Sequence, residues 1–137
     1  MRRILRFLTL AMLLALPLFS ACGEKAPAIP ADGEYTVQAT LRGGSGKSGL
    51  INPTALTVEG GRMTATLVFV SGNYDYVVLD GTRYDVLTTD PGSTFRIPVS
   101  ALDQELALIG DTVAMSAPHE VEYTLLLDSA TLEAAER

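Results

Sequence analysis

Residues 55–70 read ALTVEGGRMTATLVFV, and the fold turns on how they are read. In ALTVE (55–59) and again in MTATLVFV (63–70), Leu56 and Val58, then Met63, Ala65, Leu67 and Phe69, alternate with other residues, many of them Thr. A period of two puts each set on one face of a pleated chain, as in a half-buried strand. Gly60-Gly61-Arg62 lies between the two runs and supplies the turn of a β-hairpin.

The same signal recurs on both sides of that hairpin. In YTVQATL (35–41), Tyr35, Val37, Ala39 and Leu41 oppose Thr36, Gln38 and Thr40. YVVL (76–79) and RYDVL (83–87) flank Asp80-Gly81-Thr82, a second hairpin, and Asp90-Pro91-Gly92-Ser93 makes a turn before TFRIPV (94–99). DTVAMS (111–116) and HEVEYTLLLD (119–128) complete about eight strands. The fold class is all-β, a single antiparallel immunoglobulin-like β-sandwich. The one helical signal is SALDQE (100–105), where Ser100 caps a turn, Asp103 reaches back, and the segment crosses between the sheets. SATLEAAER (129–137) reads as a polar C-terminal tail with a frayed helical end.

Ahead of the domain (33–128) lies a different kind of sequence. Arg2, Arg3 and Arg6 precede the apolar run FLTLAMLLALPLF, which ends in Ser20-Ala21 before Cys22. Its length falls short of the roughly 20 apolar residues a bilayer-spanning helix needs, and Pro17 interrupts it, so residues 1–21 read as an export signal. Cys22 is the single cysteine, so no intramolecular disulfide can form. LFSAC resembles the lipobox of bacterial lipoproteins, with Phe19 where leucine is usual and Leu18 beside it. The resemblance implies a lipid on Cys22, membrane attachment and an extracytoplasmic, lipid-anchored location; an ordinary signal peptide that leaves a free thiol is the alternative. Residues 22–32 then form a linker. Cleavage removes three of ten basic residues and no acidic ones, leaving seven against sixteen. That balance excludes nucleic acid as a natural partner.

The fragment GGSGKSG (43–49) looks like a phosphate-binding loop, but the first glycine of that pattern falls on Leu41. Asn52-Pro53 follows where a helix would have to open. Two readings stay open: a flexible connection between strands, or a lip over a ligand in which Lys47 and Ser48 meet a carboxylate and Leu50-Ile51 an apolar part. His119 is the single histidine. It shares a strand face with Val121, Tyr123, Leu125 and Leu127, while Glu120 and Glu122 face the other way. His119 and Tyr123 stand roughly 13 Å apart along the strand, too far for a small ion held by that pair alone but within the span of a large flat ligand.

DGEYTVQATL, PTALTVEGGRMTATLVFV, FRIPVSALDQELAL and HEVEYTLLLD are together similar in order and spacing to the NEAT (near-iron-transporter) haem-binding domains of bacterial surface proteins. The resemblance runs from about Asp32 to Asp128. In that family a Y-x-x-x-Y motif on the last hairpin supplies the iron-ligating tyrosine and a second tyrosine bonded to it, and the matching positions here are His119 and Tyr123. Histidine stands where the family has tyrosine; imidazole is itself a competent haem ligand. The family's short helix before the fourth strand corresponds to SGNYDYVV (71–78), making Ser71, Tyr74 and Tyr76 candidates for stacking on a ring or bonding a propionate. Loop 43–50 falls near the ligand in that fold. Met115 is a candidate axial or pocket residue, with core packing as its plain alternative.

The resemblance implies a membrane-anchored binding protein that takes haem, or a related tetrapyrrole or iron compound, for delivery to a transporter. Enzymatic chemistry is not expected: no cysteine accompanies the histidine and no G-x-S-x-G turn is present. Two other classes compete, an adhesive surface module that binds a protein partner, and a non-haem metal-capture protein using His119 with Glu120 and Glu122.

Overall fold

Alternation becomes architecture in eight antiparallel strands. They are β1 (Gly33–Gly43), β2 (Thr54–Glu59), β3 (Arg62–Val68), β4 (Tyr74–Leu79), β5 (Thr82–Asp85), β6 (Thr94–Val99), β7 (Leu106–Thr112) and β8 (His119–Ala134). They belong to a computed structural model that describes residues 29–114 and 117–135. The export signal, Cys22 and Met115 lie outside the described residues.

The strands hydrogen-bond in the order β5-β4-β7-β8-β1-β2-β3-β6. The β8–β1 pair thus joins what would otherwise be two four-stranded layers. The two ends of this sheet also meet, because Leu87 N–H donates to the Thr94 carbonyl and Thr94 N–H to the Thr88 carbonyl, each at 2.9 Å. The result is the immunoglobulin-like sandwich expected from the alternation, almost closed on itself. Its interior is filled by the residues the period of two selected, among them Leu56, Leu67, Phe69, Phe95, Ile97, Leu125 and Leu127, all fully buried. Each contributes roughly 1.5–3 kcal/mol relative to exposure, more than a typical hydrogen bond between neutral groups.

Four segments depart from expectation. The crossover 100–105 does pass from the β6 edge to β7, but without a helical turn. Asp103 has φ 59° and turns its carboxylate on the Ser129 amide and hydroxyl, so it does not reach back to Ser100. Ala101 and Leu102 are buried there. Ser71–Asn73 form a bend, not the short helix that the resemblance implied. The Tyr74 amide donates to Ser93 Oγ (2.9 Å), and the Asn73 carbonyl accepts from Val113 N–H (2.7 Å), so helical partners are replaced by distant ones. The seventh strand starts at Leu106, five residues before the expected DTVAMS, and ends at Thr112. It lies between β4 and β8, and its LALI start is an apolar run without clean alternation. Finally, β8 does not stop at Asp128. After a bulge its end pairs with the start of β1, Tyr35 opposite Ala134 and Thr36 opposite Glu133, and Leu132 packs against the core.

Beyond Val37 the β2-facing edge of β1 would lack partners, and a side chain supplies them. Asn52 Oδ1 accepts from Ala39 N–H and Asn52 Nδ2 donates to the Ala39 carbonyl, both at 2.9 Å. The amide stands in for a strand. Residues 49–51 then run beside the end of β3, with Ile51 N–H on the Val68 carbonyl (2.7 Å) and Val70 N–H on the Gly49 carbonyl (3.0 Å). This anchors the second half of the glycine-rich loop and leaves its first half projecting over the sheet.

Candidate functional site

Between that loop and the ends of β4, β7 and β8 lies a cavity of about 580 Å³, inside the range of small-molecule sites. Its lip is Gly44, Ser45, Lys47, Ser48 and Gly49; its walls are Val70, Ser71, Tyr74, Thr112, Ala114, His119, Val121 and Tyr123. Three strands build the wall in register: Tyr74 of β4 lies opposite Thr112 of β7, and Thr112 opposite His119 of β8.

The floor is aromatic and hydroxylic. Tyr74 and Tyr123 are 6% and 5% exposed, with ring centroids 6.4 Å apart at 68°. Tyr74 also packs on Phe69 at 4.4 Å. Gly110 of β7 makes room for both rings, since a Cβ there would stand 3.2 Å from the Tyr123 ring and 3.3 Å from the Tyr74 ring. At the lip, Gly44 has φ 58°, and a Cβ would come within 2.9 Å of Val121; a side chain would push the loop off β8.

The loop is tied to this floor through three hydroxyls. Ser48 Oγ lies 2.5 Å from the Tyr74 hydroxyl and 2.9 Å from that of Tyr123, and the two phenols are 2.8 Å apart. Three hydroxyls at these distances can close a ring, each donating once and accepting once, leaving lone pairs free for a ligand. Burial, opposed by the Ser48 bond and reinforced by Tyr123, pushes the Tyr74 phenol up to about 12, so it stays protonated at neutral pH.

Of the residues singled out by sequence, Lys47, Ser48, Ser71, Tyr74, His119 and Tyr123 all line the cavity. His119 is exposed at the rim, and Tyr123 is buried deeper on the same strand face. Tyr76 does not join them. A register shift between Tyr74 and Tyr76 turns Tyr76 to the outer face, where its hydroxyl donates to Glu120 (2.6 Å). That bond, then burial, pushes its phenol up to about 12. Glu120 is bonded to Tyr76 on the outer face, and although His119, Glu120 and Glu122 border one shallow depression, among the described residues no group of three or more His, Cys, Asp or Glu is placed to hold a metal ion. Val70, Thr112 and Ala114 were not anticipated as walls. Val121 could have been, from the face it shares with His119.

Ser48 thus ties the lip to the tyrosines of the floor. No protein-family model and no curated protein matches the chain. Solved structures that share its fold include two NEAT5 domains. The NEAT5 domain of IsdX2, a B. anthracis hemophore in complex with heme, aligns with TM-score 0.55 and 15% sequence identity over 72% of this chain and 97% of that one. A point mutant of IsdX2-NEAT5, in complex with heme, aligns with TM-score 0.57 at the same identity and coverage.

Proposed function

We propose that this chain is a NEAT-type binding module that captures haem, or a related tetrapyrrole, outside the cytoplasm and passes it to a transporter. The observation that carries the reading is the cavity itself: a space of about 580 Å³ whose lining places Lys47 at the lip, His119 at the rim and two tyrosines at the floor. An apolar ring with acidic edges matches each part. Its faces pack on Val121, Val70 and the tyrosine rings; its carboxylates meet Lys47 and the Ser48 hydroxyl; His119 offers imidazole nitrogen to a central iron. The shared fold with domains described in complex with heme supports the assignment. With the ring as cargo, the protein's task is to bind, orient and release, leaving the covalent bonds of the ring unchanged.

Lipidation of Cys22 would hold the module at a membrane, and residues 23–32, with Pro27 and Pro30, would space it from the surface. A chain lacking residues 1–21 should show a saturable absorbance change in the Soret region on addition of haemin. His119→Ala should shift that band, and Lys47→Ala should weaken binding about tenfold while leaving the thermal midpoint unchanged. No saturable change in the wild type would sink haem capture, and an unshifted band in His119→Ala would remove His119 as the iron ligand.

A further inference from the structure

Directly behind the cavity wall is a second cluster that haem capture does not use. Asp111 of β7 is 2% exposed, with Tyr76 of β4 opposite it on one side and Glu120 of β8 on the other. The Tyr76–Glu120 hydrogen bond therefore spans β7 above Asp111. From β5, Arg83 lies over the Tyr76 ring, 3.9 Å from its centroid, with its guanidinium bonded to Asp85 at 2.7 Å. The bulge in β4 turns Asp75 to within hydrogen-bonding reach of Asp111. Asp75 Oδ1 and Asp111 Oδ2 are both buried and have no partner.

We propose that Asp111 keeps a proton and donates it to Asp75, and that this proton sets how tightly the β4–β7 wall of the cavity is closed. Two ionised carboxylates here would be acceptors with no donor, side by side and out of water; one proton between them satisfies both orphaned oxygens. Among the described residues, Glu120 adds negative charge, Arg83 is the one cation beside the pair and is committed to Asp85 and the Tyr76 ring, and Tyr76 donates to Glu120. Burial, then the hydrogen bond and charge of Asp75, hold the Asp111 carboxyl above the usual range. A divalent cation is the other occupant such a pair invites, but no third ligand of the described residues converges on it.

The pair is wired to the cavity by sequence adjacency. Asp75 follows Tyr74, and Asp111 precedes Thr112, so the outer row and the cavity row are alternate residues of the same strands. Loss of the proton puts two like charges across the β4–β7 seam and pulls Tyr74 away from Ser48 and Tyr123. A carboxyl whose folded pKa is raised contributes stability that is complete below its unfolded value of about 3.9 and is lost as pH rises through the folded value. The wall is tight on the acid side and slackens above it.

Asp111→Asn tests this, because its amide can donate permanently to Asp75. The thermal midpoint of wild type minus that of the variant should fall as pH rises above about 4; a constant difference would overturn the proposal. Should the variant not fold, carbon-13 NMR of the wild type decides: one aspartate carboxyl should titrate well above the rest, and the Tyr74 and Tyr123 ring resonances should move with the same midpoint. All aspartates titrating in the ordinary range, still tyrosine rings, or a raised titration that is seen only after EDTA and is suppressed by calcium would each overturn it. None of these readouts needs haemin, so the outcome is separate from the haem assignment.

Discussion

Ser48 and Gly110 show how much of the site rests on small residues. Ser48 bonds both floor tyrosines, yet their hydroxyls remain 2.8 Å apart without it. Ser48→Ala should accordingly cost only about 1 kcal/mol in urea unfolding, while haemin leaves the cavity faster in stopped-flow because the lip is no longer tied down. Gly110→Ala acts differently: its Cβ meets two buried rings at 3.2 and 3.3 Å, and either ring can give way only by moving into the cavity it floors. The expected loss is roughly 1–3 kcal/mol by overpacking, with a shift of the Tyr74 and Tyr123 aromatic signals in near-ultraviolet circular dichroism. At this scale the sequence was partly legible. His119 and Tyr123 were placed on one face by the period of two, and Tyr74 was recognised through the family resemblance. Tyr76 was misplaced because a single extra residue at Asp75 inverts the face of everything after it, and periodicity carries no mark of a bulge.

Strands from β1 to β6 were readable because each is short, alternating and bounded by Gly, Pro or Asp turns. The two that slipped have physical reasons. β7 is enclosed by β4 and β8, so its LALI start need not alternate; β8 continues past Asp128 through a bulge into SATLEA, whose polar composition hides its pairing with β1. A chain ending at Asp128 separates the two readings of that segment. If residues 129–137 were a tail, nothing would change. As a strand that buries Leu132 and pairs with Tyr35 and Thr36, its removal should lower the unfolding free energy by about 2 kcal/mol or more, seen as an earlier urea midpoint with the fold retained.

For the molecule as a whole, tyrosine ionisation gives a measure of integrity. Unfolded tyrosines lose their protons at about 10, whereas Tyr74, through burial, and Tyr76, through Glu120, hold theirs to about 12. The folded state thus binds more protons between these values. The stability this contributes is complete below pH 10 and drains away as pH rises through 12. An absorbance titration of the phenolate band should show the late ionisation of Tyr74 and Tyr76 in step with unfolding; Tyr76→Phe should remove one late proton and leave the other. Sheet closure has a further result if the module is held at a membrane surface, as proposed. With β5 only four residues long and its end bonded to β6 through Leu87, Thr88 and Thr94, few backbone groups remain for a neighbouring molecule to extend the sheet. Copies packed at high density have little to polymerise through, and encounters between molecules fall to the loops, the rim with Lys47 and His119 among them.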